Sequence, residues 1–262
     1  MTEKPKSVVR TSEKTFAIID VLLANDGMRI NDLTDELDLT KSTVYRHLTT
    51  LSENGYVIKE GEVYRLSLKF LTIGGQLRRQ IPAYPMIKTK IDDLAEKTGE
   101  RAQFMLREQG DRVYIQTETG ENPVQTGAHV GTRGPIYASA AGKAILAGLP
   151  ESKRESVVEQ LTLEATGPNT ITERSELKEE LMEIREQGYA INRQESTRGV
   201  HAIGTAVQSG DEIIGALSVS GPATRLKDDR LESELPDVVR AASNELELHI
   251  EHQTSNPVGT SL

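Results

Sequence analysis

The stretch from Thr40 to Gly55, TKSTVYRHLTTLSENG, restricts the fold more than any other part of the chain, because it specifies a helix together with both of its ends. Thr40 offers a side-chain oxygen to the free backbone N–H groups of a first turn, and Gly55 suits the left-handed residue that closes a last one. Between them Val44, Leu48 and Leu51 recur at spacings of four and three, which lines them up on one face for burial. The opposite face gathers Lys41, Ser42, Thr43, Tyr45, Arg46 and His47, hydrogen-bond donors concentrated toward the N-terminal end. An ordinary amphipathic helix also has a polar face of this kind, turned to solvent. The neighbouring segments decide between that and a helix that enters the major groove of DNA.

Residues 12 to 25, SEKTFAIIDVLLAN, place Phe16, Ile19, Leu22 and Leu23 on one face of a packing helix after a Ser or Thr cap. A turn at Asn25, Asp26 and Gly27 leads to a short second helix from Ile30 to Leu39, capped by Asn31, with Leu33 and Leu37 pointing inward. Asp38 and Leu39 make a brief connection into the Thr40 helix, which is a helix-turn-helix order. Two β-rich runs follow, Tyr56 to Lys59 and Val63 to Leu66, around the turn at Glu60, Gly61 and Glu62. A hairpin in this position is a wing: Lys59 and Arg65 are placed for the phosphate backbone, while Val57, Ile58 and Val63 cap the core. The order of three helices and a hairpin favours double-stranded DNA as partner. Residues 8–66 are thus read as a winged helix-turn-helix domain.

Residues 67–81, SLKFLTIGGQLRRQI, continue as a linker helix interrupted at Gly74 and Gly75 and ended by Pro82. Leu68, Leu71 and Leu77 pack either on a second copy of the chain or on their own wing. Residues 82–252 read as a larger α+β domain. Its pattern starts with a helix from Pro85 to Lys97 carrying Ile87, Ile91, Leu94 and Ala95. Strands follow at Ala102–Arg107 and Arg112–Thr117, with shorter ones at Pro123–Ala128 and Pro135–Ser139. A small-residue helix, Ala140–Gly148, precedes helices over 151–160 and 173–187, the latter started by Thr172. Strands at Tyr189–Arg193, Ala202–Val207 and Ile213–Ser220 and a closing helix over 226–252 complete it. The polar tail, 253–262, reads as disordered.

A chain of 262 residues with 36% apolar content suits two domains with separate cores. Cysteine is absent, which excludes disulfide scaffolds and thiolate zinc sites, and no apolar run reaches the length of a membrane span. A cytoplasmic protein is expected. The net charge of -9 is unevenly spread: residues 1–80 hold 12 Lys and Arg against 11 Asp and Glu, leaving 19 against 29 (31 − 12 and 40 − 11) for the rest. The near-neutral first part can present a local basic face to DNA, with weak and salt-sensitive nonspecific binding.

The runs KSTVYRHLTTLSENGYV, GPIYASAAGKAILAGLP, ITERSELKEELMEIREQGYA with NRQESTRGVHAIGTAV, and ALSVSGPATRL together resemble the IclR family of transcription regulators, in order from about residue 10 to about 250. The resemblance implies a winged helix-turn-helix, a linker helix and an effector-binding domain of GAF-like fold with an antiparallel sheet, in homodimers that often pair into tetramers. It also implies a small organic-acid effector. The matching effector positions are Ala140, Ala141, Asn192, Ala202, Ser218 and Ser220. Backbone N–H groups at the start of the Ala140 helix suit a carboxylate, and the Ser and Asn side chains suit its polar substituents. The family pattern often has an acidic residue where Asn192 stands and Cys where Ala202 stands, so this pocket is the less charged one.

Other constellations carry less. Around Lys143 a phosphate-loop match fails, because Tyr137 and Ala144 stand where Gly and Ser or Thr are required; Lys143 is expected at the surface or the pocket edge. His249 and His252 beside Glu251 lack a third ligand for a metal. His129 and His201 would sense pH or a carboxylate only if they met across the pocket. No cofactor and no catalytic arrangement is expected. The expectation is a ligand-responsive regulator of a catabolic operon; a small-molecule-binding protein or enzyme with an N-terminal assembly domain is the alternative.

Overall fold

A computed structural model describes residues 8–121 and 127–255, and the chain divides between Ile81 and Pro82 into two compact units. The first unit contains α1 (Arg10–Ala24), β1 (Met28–Arg29), α2 (Ile30–Leu37), α3 (Lys41–Glu53), β2 (Val57–Glu60), β3 (Val63–Leu66) and α4 (Lys69–Arg79). Its antiparallel sheet runs β1-β3-β2, and its core is built from Ile18, Leu22, Leu33, Val44, Leu48, Leu51, Val57 and Tyr64. The Thr40 side chain accepts the N–H of Thr43 at 3.3 Å, and Gly55 has φ +73°, so both ends of α3 are made by local chemistry.

Several local expectations change. Phe16 and Leu23 are 64% and 70% exposed, whereas Ile18 is fully buried. Phe16 and Leu23, seven residues apart, share a line on the far edge of a broad apolar stripe, and the core takes the edge carrying Ile18 and Leu22. Asn31 lies in the first turn of α2 rather than capping it; extended Arg29 precedes that helix without a side-chain cap, because Met28 and Arg29 are held in β1 against Tyr64 and Val63. Gly27 makes this tight return possible: it has φ +98°, and a Cβ there would stand 2.9 Å from the Tyr64 carbonyl oxygen and 2.6 Å from the Arg65 side chain. Ile58 is exposed while Val57 is buried. α4 runs unbroken through Gly74 and Gly75: a glycine weakens a helix interior by about 1 kcal/mol without ending it.

The second unit comprises α5 (Tyr84–Thr98), β4 (Arg101–Glu108), β5 (Asp111–Thr119), β6 (Arg133–Pro135), α6 (Ala140–Gly148), α7 (Glu151–Gln160), α8 (Arg174–Gln187), β7 (Ala190–Arg193), β8 (Val200–Ser209), β9 (Glu212–Pro222) and α9 (Leu235–Ser255). The sheet is antiparallel in the order β6-β5-β4-β9-β8-β7. Alternate residues face α6, which packs with α8 over Met105, Tyr114, Ala190 and Ala216. The other strand residues, Phe104, Leu217 and Val219 among them, turn toward the face served by α5 and α9. Helices on an antiparallel sheet make this an α+β fold.

The strand expected at Pro135–Ser139 is instead a 3-10 turn over Ile136–Ala138, three consecutive buried residues that cannot alternate between two faces. α8 starts after Glu173 with no side-chain cap, so Thr172 does not start it. The closing helix starts at Asp228 and passes through a π turn over Arg230–Glu234 into α9; Pro236, lacking an N–H, cannot donate to the turn before it. It extends through Ser255, so the start of the expected tail is helical, and residues 256–262 lie outside the described part. Of the strand expected at Pro123–Ala128, residues 123–126 also lie outside it, and Gly127 and Ala128 are irregular.

Candidate nucleic-acid interface and effector cavity

The cap of α3 fixes which polar side chains on its outer face remain free. Thr40 Oγ1 engages the Thr43 hydroxyl at 2.8 Å and the Ser42 hydroxyl at 3.2 Å, so these two hydroxyls belong to the cap. His47 Nδ1 lies 2.8 Å from the Thr15 hydroxyl of α1. Partial burial, then the charges of Lys14 and Arg46, hold the His47 ring below the ordinary histidine range. Lys41, Tyr45 and Arg46 stay exposed, with no side-chain hydrogen bond or ion pair among the described residues. Arg46 borders a groove of about 450 Å³ between α1 and α3 that also takes in Arg10, Lys14 and Thr50. Arg10 and Lys14 escaped the sequence reading; their spacing of four at the start of a helix was the available signal.

The two wing cations differ. Lys59 lies over the Tyr64 ring at 5.5 Å and 3.9 Å from Glu62, a loose exposed pair that leaves its charge accessible. Arg65 is spent within the unit: it meets Asp26 Oδ1 at 3.0 Å and Glu60 at 3.3 Å and also donates to the Asp26 carbonyl. It braces the Asn25–Gly27 turn rather than extending from the wing.

In the second unit a cavity of about 240 Å³ opens between the sheet and the start of α6. The strand register gathers its walls: Asn192 pairs with Ala202, Ala202 with Ser220, and Ser218 with Gln103. Ala140, Asn192, Ala202, Ser218 and Ser220 all line it. Ala141 does not; its N–H sits against Gly204, where a Cβ would come within 2.8 Å of the nitrogen. Ser139 caps α6, its hydroxyl accepting the Gly142 N–H at 3.1 Å and its carbonyl the Lys143 N–H at 2.8 Å. The amides of Ala140 and Ala141, as first-turn donors, have no intrahelical acceptor.

The cavity's polar groups are unequally available. Asn192 donates to the Ala138 carbonyl at 2.7 Å and accepts the Glu195 N–H at 3.1 Å, so it shapes the wall. Ser220 accepts from Gln103 at 2.5 Å. The Ser218 hydroxyl has no partner among the described residues. Gln103, Arg112, Tyr114 and Ser139 join the lining without having been singled out from sequence.

Lys143 is neither solvated nor at the pocket edge. It is fully buried, with its Nζ 2.7 Å from Glu195 Oε2 and also bonded to Glu180. Burial raises the Glu195 carboxyl and outweighs the downward pull of the Lys143 ammonium. His201 bonds through Nδ1 to the Leu226 carbonyl at 2.7 Å and His129 to the Val130 carbonyl at 3.0 Å; neither lines the cavity. A wider groove of about 700 Å³ along α8 is lined by Glu176, Glu179, Glu180, Glu183, Glu195 and Glu232, a surface that repels anions. No group of acidic or histidine side chains suited to a metal occurs among the described residues, and no described helix is long and apolar enough to cross a membrane.

Known proteins share both units. Residues 11–61 match the IclR helix-turn-helix domain, and residues 81–248 match the family described as bacterial transcriptional regulator IclR C-terminal. The chain is 34% identical over 239 residues to the "Probable HTH-type transcriptional regulator ArcR" of Halobacterium salinarum, covering 89% of this chain and 91% of that protein. It is 28% identical over 233 residues to the HTH-type transcriptional regulator KdgR of Escherichia coli, covering 88% and 89%. The crystal structure of the Thermotoga maritima IclR superposes with a TM-score of 0.81 at 26% identity, covering 92% of this chain and 99% of that one. An IclR homologue from Microbacterium hydrocarbonoxydans, solved with 4-hydroxybenzoate, shares the fold with a TM-score of 0.73 at 20% identity, covering 91% and 99%.

Proposed function

The chain belongs to the IclR family of transcription regulators, and from that premise we propose that it binds an operator through α3 and adjusts that binding to a small organic acid held in the cavity beside α6. The single observation carrying the DNA half is the outer face of α3, where Lys41, Tyr45 and Arg46 stand exposed and unpaired on a helix anchored by its own cap. An Arg on such a helix can bond a guanine edge bidentately, while Lys41, and Arg10 and Lys14 of α1, meet phosphates. Ser42, Thr43 and His47 set the pose of that helix, and Lys59 adds a phosphate contact from the wing.

The effector half rests on the cavity: walls gathered by the strand register, the first-turn amide of Ala140 in α6 and the free Ser218 hydroxyl suit an acid bearing polar substituents. The 4-hydroxybenzoate of the Microbacterium homologue belongs to the same chemical class. The acid would favour one arrangement of paired DNA-binding units over another, with α4 as the coupling element, and operator affinity would change by the ratio of its affinities for the two arrangements. A homodimer, or a tetramer made of two such dimers, matches a pseudo-palindromic operator. Leu68, Leu71 and Leu77 of the linker segment, 78%, 71% and 60% exposed, offer the apolar surface for it. A catabolic operon for a sugar, sugar acid or aromatic acid, regulated in the cytoplasm, is the proposed setting.

The experiment is a mobility shift on genomic fragments with the native protein and the Arg46→Ala and Tyr45→Ala variants, their oligomeric state checked by light scattering. Loss of the specific shift with an unchanged oligomer is expected. A specific shift that survives both changes contradicts the assignment of α3.

A further inference from the structure

The cavity beside α6 carries one formal charge that no described side chain neutralises. Its source is Arg112 on β5, which regular alternation would turn away: Thr117 faces with Gln103, and counting back by twos passes Ile115 and Val113 instead. Between Phe104 and Met105 the register shifts, so that Phe104 opposes Gln116 but Met105 opposes Tyr114. Ile115 is the extra residue of a bulge, and the bulge brings Tyr114 and Arg112 onto the face of Met105 and Gln103. There the guanidinium lies over the Tyr114 ring, 5.4 Å from its centroid. It also crosses Gly134 of β6, where a Cβ would stand 1.8 Å from Nη1. The backbone and the glycine together leave room for this one side chain.

Arg112 is only 9% exposed, and its Nε and Nη1 have no hydrogen-bond partner among the described residues. The rest of the cavity lining supplies hydroxyls, amides and methyl groups and no carboxylate. A buried cation without a counter-ion is costly to keep, so its place in the fold is explained by an anion that arrives with the ligand. The first-turn amide of Ala140 in α6 adds a neutral donor, on the same cavity, to the one full charge.

We propose that Arg112 is the carboxylate anchor of this cavity, and that the ligand is a small monocarboxylate whose hydroxyl or oxo groups meet Ser218 and Ser220. This rests on the reading of the cavity as the effector site. One guanidinium and no acidic side chain match one carboxylate; the second carboxylate of a dicarboxylate would be desolvated with no cation to face. A cavity of about 240 Å³ restricts the ligand to a small acid.

The test uses the full-length protein in carboxylate-free buffer, with calorimetric titration of acetate, glycolate, pyruvate and 4-hydroxybenzoate, of the corresponding primary amides, and of succinate. At least one monocarboxylate binds, more tightly than its amide and than succinate. Arg112→Met weakens that acid by about 30-fold or more and leaves the amide nearly unchanged, since removing a charge-assisted donor costs that much. Arg112→Lys restores part of the preference for acid over amide. Without ligand, Arg112→Met melts about 2–4 °C higher than the native protein, because an uncompensated buried charge has been removed. A purely structural arginine would lower the melting temperature instead. An acid-over-amide preference that persists in Arg112→Met, a melting temperature that falls, or a native protein that takes up none of these acids at about 50 mM overturns the proposal. Ser220→Tyr, which fills the cavity, separates the two readings. If acid binding survives Ser220→Tyr, the cavity is not the effector site; if Ser220→Tyr removes binding while Arg112→Met does not, only the role of Arg112 fails.

Discussion

Lys143 and His47 are both titratable side chains whose surroundings, not their types, decide what they do. The Lys143 ammonium has no exposed surface and is held by Glu195 and Glu180, which ties α6 to α8 and to the segment after β7. Lys143→Met leaves the buried Glu195 carboxylate without its cation and beside the partly exposed Glu180, and urea titration should show a loss of about 3 kcal/mol. Adding Glu195→Gln to that variant should recover a large part of it; equal losses in the single and double variants would show that the pair does not act as a unit. His47 titrates in the opposite setting. Its folded pKa lies below the ordinary 6.5, so the folded unit binds fewer protons than the unfolded chain. The stability that the neutral ring contributes is complete above about pH 6.5 and is lost as pH falls through the folded value. Thermal melts from pH 7.5 to 5.5 should therefore fall more steeply for the native protein than for His47→Gln, and parallel curves would refute this.

At the scale of elements, what could be read from the sequence was what local chemistry decides. α3 was legible end to end, because Thr40 caps it and Gly55 closes it. The cavity residues Ala140, Asn192, Ala202, Ser218 and Ser220 were reached only through a family resemblance, and the strand register explains why they converge. Arg112 escaped because a bulge breaks the two-residue period on which any strand reading depends. Lys143 escaped because its partners lie 37 and 52 residues further along the chain. Phe16 and Leu23 fit a core by periodicity alone because a helical stripe does not say which of its edges is covered; with Leu68, Leu71 and Leu77 they are, among the described residues of the first unit, the five most exposed large aliphatic and phenylalanine side chains apart from Val9. Burial of such side chains contributes about 25 cal/mol per Å², so Leu71→Glu combined with Leu77→Glu should lower the mass of the proposed homodimer in light scattering while the circular dichroism of the fold is kept. An unchanged mass would place the contact elsewhere.

For the whole molecule, charge is divided by task. The first unit is near neutrality overall, with exposed cations on α1, α3 and the wing and further ones, Arg29, Lys69 and Arg79, on β1 and α4; the acidity lies in the second. A protein so built makes few phosphate contacts, and its operator affinity should fall with salt along a shallow line. Each phosphate-bound cation contributes about 0.9 to the slope of log K against log salt, so Lys41→Ala should reduce the slope by about 1 per protomer. In the proposed regulation, an acid in the cavity beside α6 changes how tightly α3 holds DNA. The most direct measurement is operator affinity, by fluorescence anisotropy at fixed salt, for native protein and Ser220→Tyr, each with and without a saturating concentration of the acid that binds in calorimetry. A change of about fivefold or more is expected in the native protein and none in Ser220→Tyr; equal affinities with and without acid in the native protein, or an acid response that survives Ser220→Tyr, would overturn this coupling.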